Sequence, residues 1–199
     1  MPRGAGLPIR LSFANIPAMS ILKVAQMGHP VLRTPARRVD PESIGSPDLQ
    51  RLVDDMVETL KDYDGIGLAA PQVHVPLRVC LIGVVEEAEE GSPQEVRIVV
   101  AINPTVTPLT EETIVGVEGC LSMTDLRGLV PRYRAVRLEA LDRGGEPFSL
   151  ELEGYPAVVA QHETDHLDGV LFVDRMPDLR SLAFSREFVR YGVEYDEVL

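Results

Sequence analysis

No apolar run in this chain approaches the ~20 residues that a bilayer-spanning helix needs. The longest are broken by charge or proline, so no membrane partner is expected. Cysteine is scarce as well: there are two, Cys80 and Cys120, and the start of the chain lacks a continuous apolar stretch of the secretory kind. That excludes a disulfide framework and makes reduced thiols in the cytoplasm the expectation. Positive charge is in deficit, with 19 Lys and Arg against 31 Asp and Glu and a net charge of -12. A surface this acidic repels phosphate backbones, so no specific nucleic-acid partner is expected. Acid is in turn absent before Asp40, where Arg3, Arg10, Lys23, Arg33, Arg37 and Arg38 fall. Residues 1–18 therefore share features with an organellar transit peptide, which would make the protein organellar. They also contain Pro and Gly, show little amphipathic order, and precede Met19-Ser20-Ile21-Leu22, which reads as an alternative start. The expectation is a dispensable N-terminal extension over 1–18 and one domain over 19–199. Hydrophobic content of 45% and charged content of 25% suit such a domain, and no repeat or interdomain linker interrupts it.

The clearest element is an amphipathic helix. Ser46 can cap it, Pro47 suits its first position, and Asp48 favours its positive end. Leu49, Leu52, Val53, Met56, Val57 and Leu60 then recur at helical spacing, as far as about Tyr63. Strands are expected over Arg78–Val85, Val96–Ile102 (stopping at Asn103-Pro104) and Thr110–Val117. Arg134–Leu141 and Phe148–Leu152 read as a hairpin around Asp142-Arg143-Gly144-Gly145. Glu86–Pro93 reads as an acidic, solvated loop, and Leu179 to about Tyr191 as moderately helical. Strands clustered between an earlier and a later helix predict an α+β fold. Its mainly antiparallel sheets would pack around a central C-terminal helix, with the amphipathic helix on the N-terminal side. Cys80, in an apolar strand, reads as a small hydrophobe. His29 and His74 lie in turn-like segments and read as incidental.

That C-terminal helix carries the chemistry. Gln161-His162-Glu163-Thr164-Asp165-His166 contains His-Glu-x-x-His. Residues four apart on a helix share a face, so His162 and His166 can aim at one divalent ion. Glu163 is placed to reach a water beside it. Two core histidines satisfied by carbonyls would produce the same spacing. A catalytic site also needs a third ligand. Cys120, beside Gly119 at a strand end, is either that ligand or a second buried thiol; spacing does not decide. Asp165 is too near His166 to ligate independently and is expected to orient an arginine among Arg127, Arg132 and Arg134. Gly65-Ile66-Gly67-Leu68-Ala69-Ala70-Pro71-Gln72 lets a backbone approach closely. It is not a phosphate loop, because no Lys-Ser/Thr follows.

Three stretches together resemble the peptide deformylases: Gly65–Gln72, Glu118-Gly119-Cys120-Leu121-Ser122, and Gln161–His166. The resemblance runs from about Ile21 to Met176. It implies a metal-dependent hydrolase that removes the N-formyl group from the formylmethionine of new polypeptides. It further implies Cys120, His162 and His166 as metal ligands, Glu163 as general acid/base, and Gln72 with the Leu121 N–H as oxyanion donors. By the same resemblance Gly67 pairs with the substrate backbone. Ile66, Tyr155 and Val158 line the methionine pocket, and Arg127 lies near the cleft. Fe(II) is the implied ion in the cell, with Zn, Ni or Co in a purified sample. A transient ribosome contact and a monomer or homodimer are also compatible with the family. Met123-Thr124-Asp125 stands where many members have Ile-Pro, and the C-terminal segment lacks the long basic helix of some bacterial forms.

Two other functions compete. A His-Glu-x-x-His metallopeptidase would need a downstream ligand, but no histidine follows His166, leaving Asp174 or Glu187. A non-catalytic metal-binding protein would have no use for Glu163 or Gln72.

Overall fold

Two helices lie on opposite faces of one sheet, and the sequence explains both placements. The computed structural model describes residues 10–12, 20–85 and 95–191. The acidic stretch read as a loop, 86–93, lies outside the described residues. Helix α1 spans Pro47–Asp62. Ser46 accepts a hydrogen bond from the Leu49 N–H, and Pro47 and Asp48 open the first turn, a cap that contributes ~1 kcal/mol. Leu49, Val53, Met56, Val57 and Leu60 are buried, each contributing roughly 1.5–3 kcal/mol.

Strands β1 (Arg10–Ser12), β2 (Gly67–Ala69), β3 (Val79–Val85) and β4 (Glu95–Pro108) come before the hairpin β7 (Ala135–Leu141) and β8 (Pro147–Glu153). They form a sheet in the order β2-β3-β4-β7-β8, antiparallel throughout, with β1 adding in parallel to β4. Part of the segment expected to be an extension thus pairs with the sheet. Between them run β5 (Thr113–Cys120) and β6 (Met123–Tyr133), which pair antiparallel and are joined by the short β9 (Ala183–Phe184) in a second sheet. Helix α2, Tyr155–Leu167, carries the two histidines. Two short helices follow, α3 (Phe172–Arg175) and α4 (Ser185–Tyr191).

The alternation of β3 shows how the layers are built. Leu81 packs into the α1 cluster with Leu68 and Ile102. Its neighbours Cys80 and Ile82 pack on the other face with Ala157, Ala160 and Leu167 of α2. Cys80 is a fully buried strand residue, as its apolar surroundings indicated.

Three boundaries differ from the sequence reading, each for a physical reason. β4 does not stop at Asn103-Pro104. Its register with β7 shifts between Ile102 and Thr105, and Asn103 adopts φ 54° while its side chain bonds both the N–H and the C=O of Val39, each at 2.8 Å. The side chain ties the bulge to Val39 while the Asn103 N–H still donates to the Arg78 carbonyl, and pairing with β7 resumes at Thr105. β6, eleven residues long, was not singled out as a strand, because Gly128 and Pro131 interrupt its pattern. The segment from Leu179 is helical only from Ser185; before that it makes a single 3-10 turn and β9. Among the described residues no helix is long and apolar enough to cross a membrane.

Candidate metal centre and cleft

β5 and α2 bring the chemistry together. Residues two apart on a strand share a face, and Gly116, Glu118 and Cys120 are the buried positions of β5. Glu118 and Cys120 therefore both point at α2. On α2, His162 and His166 share a face, as their spacing required. Cys120 Sγ lies 3.2 Å from His166 Nε2, and one ligand-capable atom from each of Cys120, His162 and His166 lies within 4.8 Å of the others. A thiol and two imidazoles suit a borderline-soft divalent ion. A second observation agrees. Glu163 Oε2 is buried without a hydrogen-bond partner among the described residues, as expected of a carboxylate that faces a water or substrate in the working site.

The two histidines are held differently. His162 Nδ1 faces Glu118 Oε2 at 2.7 Å. Arg132 grips the same carboxylate twice, Nε to Oε1 at 2.7 Å and Nη2 to Oε2 at 3.1 Å. Arg132 Nη1 also donates to Asp165 Oδ2 at 2.6 Å, so Arg132 is the one of the three candidate arginines that Asp165 meets. His166 has no such support: its Nδ1 is buried and unpartnered among the described residues.

Electrostatics follow the packing. Burial alone would raise the Glu118 carboxyl, but hydrogen bonds and charge from His162 and Arg132 override it and hold it at about 2. Burial pushes Glu163 up to about 7; the His162 charge opposes this, and Glu118 adds to it. Burial would depress His162, yet its bonds to Cys120 and Glu118 raise it well above the usual histidine range. His166 is pushed well below that range by burial and by the charges of His162 and Arg132. Glu163 is thus poised near neutrality, where a general base works best.

A cleft of about 450 Å³ opens over this centre. Every candidate site residue except His166 lines it: Ile66, Gly67, Gln72, Cys120, Leu121, Arg127, Tyr155, Val158, His162 and Glu163. His166 lies beneath, 1% exposed. Gln72 sits in a short 3-10 turn, Ala70–Val73. Its Oε1 accepts from the Ala69 N–H at 2.8 Å, which fixes the amide so that Nε2 faces Cys120 Sγ (3.4 Å) and Ser122 Oγ (3.2 Å). Gly67 belongs to the edge strand β2, and a Cβ there would overlap Glu163 Oε1. Its missing side chain makes room for that carboxylate. Arg127 lies across the outer face of β5, where a Cβ on Gly119 would come within 2.5 Å of its Nη1. It donates to the Thr124 and Leu126 carbonyls at 3.2 and 2.7 Å. Asp174 bonds Arg33 and the Leu171 N–H, away from the triad.

Glu118 is the functional side chain that motif reasoning passed over, although it stands in a quoted motif. The signal was available: a buried acid two residues before a cysteine on a strand shares that cysteine's face.

Comparison with known proteins finds relatives over most of the chain. Residues 21–181 match the family model described as polypeptide deformylase. Peptide deformylase 1 of Nitrosomonas europaea is 43% identical over 165 residues, covering 83% of this chain and 93% of that protein. The peptide deformylase of Rhizobium meliloti is 41% identical, covering 86% and 94%. Among solved structures, a class I type b peptide deformylase from Acinetobacter baumannii with Met-Ala-Ser bound superposes with TM-score 0.72 at 35% identity, over 80% of this chain and all of that one. The same enzyme with actinonin bound gives 0.69 at 36% identity, over 79% and 99%. A cysteine and two helix-borne histidines around a buried glutamate, set in a fold shared with these enzymes over most of its length, show that this chain belongs to the polypeptide deformylase family.

Proposed function

We propose that this chain hydrolyses the formyl amide at the N-terminus of new polypeptides, releasing formate and a free methionine amine. The observation that carries the reading is Glu163: a buried carboxyl with an unpartnered oxygen, beside the Cys120–His162–His166 cluster in an open cleft. The family is metal-dependent, and Cys120, His162 and His166 would hold the ion, with Fe(II) in the cell and Zn, Ni or Co as replacements. When bound, such an ion acidifies water and polarises a carbonyl.

The chain's own residues do the rest. Gly67, on an edge strand, offers backbone groups to an extended peptide as an added strand. Ile66, Tyr155 and Val158 receive the methionine side chain. Gln72, oriented by its bond to Ala69, and the Leu121 N–H donate to the formyl oxygen as negative charge develops there. Glu163 takes a proton from the attacking water and returns it to the departing amine. Arg127 flanks the cleft without touching the reacting atoms. The Met-Ala-Ser peptide held by the Acinetobacter relative supports methionine-first peptides as ligands. The peptide deformylases of Nitrosomonas, Rhizobium and Acinetobacter are bacterial, which supports action in the cytoplasm. We take the catalytic unit to be residues 19–199; although Arg10–Ser12 pairs with β4, deleting 1–18 is expected to leave formate release unchanged.

The test is formate release from formyl-Met peptides by anaerobic protein loaded with Fe(II) or Ni(II). Glu163→Ala keeps the metal and loses activity; a fully active Glu163→Ala protein overturns the mechanism.

A further inference from the structure

A second cavity of about 390 Å³ lies behind α2, with Arg132, Asp165 and Arg175 in its lining. Arg175 stands on α3 with its side chain half exposed. Its guanidinium takes both oxygens of Asp165, Nη2 to Oδ1 at 2.6 Å and Nε to Oδ2 at 3.1 Å. From there the contacts run without a break through Arg132 and Glu118 to the ring of His162. α3 meets that ring a second time: Phe172, 1% exposed, stacks on His162 with centroids 6.4 Å apart.

The charges explain why the outer arginine matters. Glu118 and Asp165 are two buried acids, and Arg132, 4% exposed, is a single buried cation between them. Arg175 supplies the second cation. Without it Arg132 is the remaining ion-pair partner of Asp165 among the described residues, and an uncompensated buried carboxylate is strongly unfavourable. Arg132 is then drawn toward Asp165 and loosens its two-pronged grip on Glu118. Glu118 is the group that fixes which nitrogen of His162 faces the cluster and at what angle.

We propose that Arg175 is a positioning residue of the metal centre, acting from the outer surface through Asp165, Arg132 and Glu118 to hold His162 in its ligating orientation. The inference rests on reading Cys120, His162 and His166 as a metal site, and it does not require the deformylase reaction. The experiment loads the full-length protein with Co(II) under anaerobic conditions. It records the visible ligand-field bands, the rate of Co(II) loss to a chelator, and kcat and KM for a formyl-Met peptide. Arg175→Ala should lose Co(II) about 10-fold faster, the scale on which groups behind a ligand act, and should shift the bands. KM should stay within about 2-fold, since Arg175 does not line the substrate cleft. Arg175→Lys, which keeps the charge, should recover most of the retention. Arg134→Ala, which breaks an exposed pair with Glu112, should match the wild type. Where Arg175→Ala does not fold, Arg175→Gln gives the same readout. Unchanged bands and unchanged Co(II) loss in the folded variant overturn the proposal. So does equal loss of metal in Arg175→Lys and Arg134→Ala, which would reflect general destabilisation. Wild-type protein that holds Co(II) with these bands and releases no formate removes the deformylase reading and leaves this one standing.

Discussion

Two sets of polar groups around α2 are treated in opposite ways. Along the network that runs from α3 to the His162 ring each charge is matched: Asp165 with Arg132 and Arg175, Arg132 with Glu118, and Glu118 with His162. Around the metal-capable cluster, by contrast, Glu163 Oε2 beside the cleft and His166 Nδ1 beneath it are both buried and have no partner among the described residues. Burial is the same; satisfaction is not. A saturated network has one low-energy arrangement and serves as a frame. An unsatisfied buried carboxyl is costly, and it persists where chemistry uses it.

The sharpest break in this contrast is Glu163→Ala. It should lower kcat by about 10²–10⁴-fold or more, the range of general acid–base catalysis, with metal content unchanged by elemental analysis. Breaking the frame should instead cost stability. Glu118→Ala leaves His162 without its anion and Arg132 with Asp165 alone, and should lower the unfolding free energy by about 3–5 kcal/mol, measured by denaturant titration. The pH dependence of that contribution has a definite sign. The Glu118 carboxyl falls from 4.5 to about 2 on folding, so its stabilisation is present above 4.5 and is lost as pH drops toward 2. Gln72→Ala should reduce kcat about 100-fold through loss of one oxyanion donor while KM moves little, read from steady-state formate release.

The smallest expected effect sharpens the comparison most. Glu163 is raised from 4.5 to about 7 in the folded chain. Between those values the folded state binds more protons than the unfolded one, so this carboxyl costs stability increasingly as pH rises through 7. Glu163→Gln should therefore raise the melting temperature of metal-free protein at pH 8 and change it little at pH 4. A variant that loses catalysis and gains stability would mark Glu163 as a group retained for chemistry.

Local rules carried the sequence reading a long way. Ser46-Pro47-Asp48 and the stripe from Leu49 place α1 because capping and helical periodicity are properties of neighbouring residues. His162 and His166 share a face as their spacing required, and Cys120, which spacing left undecided and the family resemblance made a ligand, lies beside them. What stayed hidden depends on distant partners. Asp165 was assigned an arginine, but the choice of Arg132, 33 positions away, is made by the β6–α2 packing. Arg175 needed α3 to turn back onto α2. β4 runs past Asn103-Pro104 because Asn103 finds Val39, 64 positions earlier. β6 was obscured by Pro131 and Gly128; β9 pairs only with Leu126 and Arg127, so among the described residues Gly128 and Pro131 are paired on the β5 side alone, where a residue that interrupts a ladder is tolerated.

The inward alternation of β5 has a consequence for how this chain can change. Gly119 is the single residue between Glu118 and Cys120, and it presents its bare outer face to Arg127. A substitution elsewhere in the strand alters one contact. A one-residue deletion or insertion at Gly119 reverses the face of everything on one side of it, separating the thiol from the carboxylate that braces its fellow ligand. A change of length at this point is therefore expected to part Cys120 from His166 or Glu118 from His162.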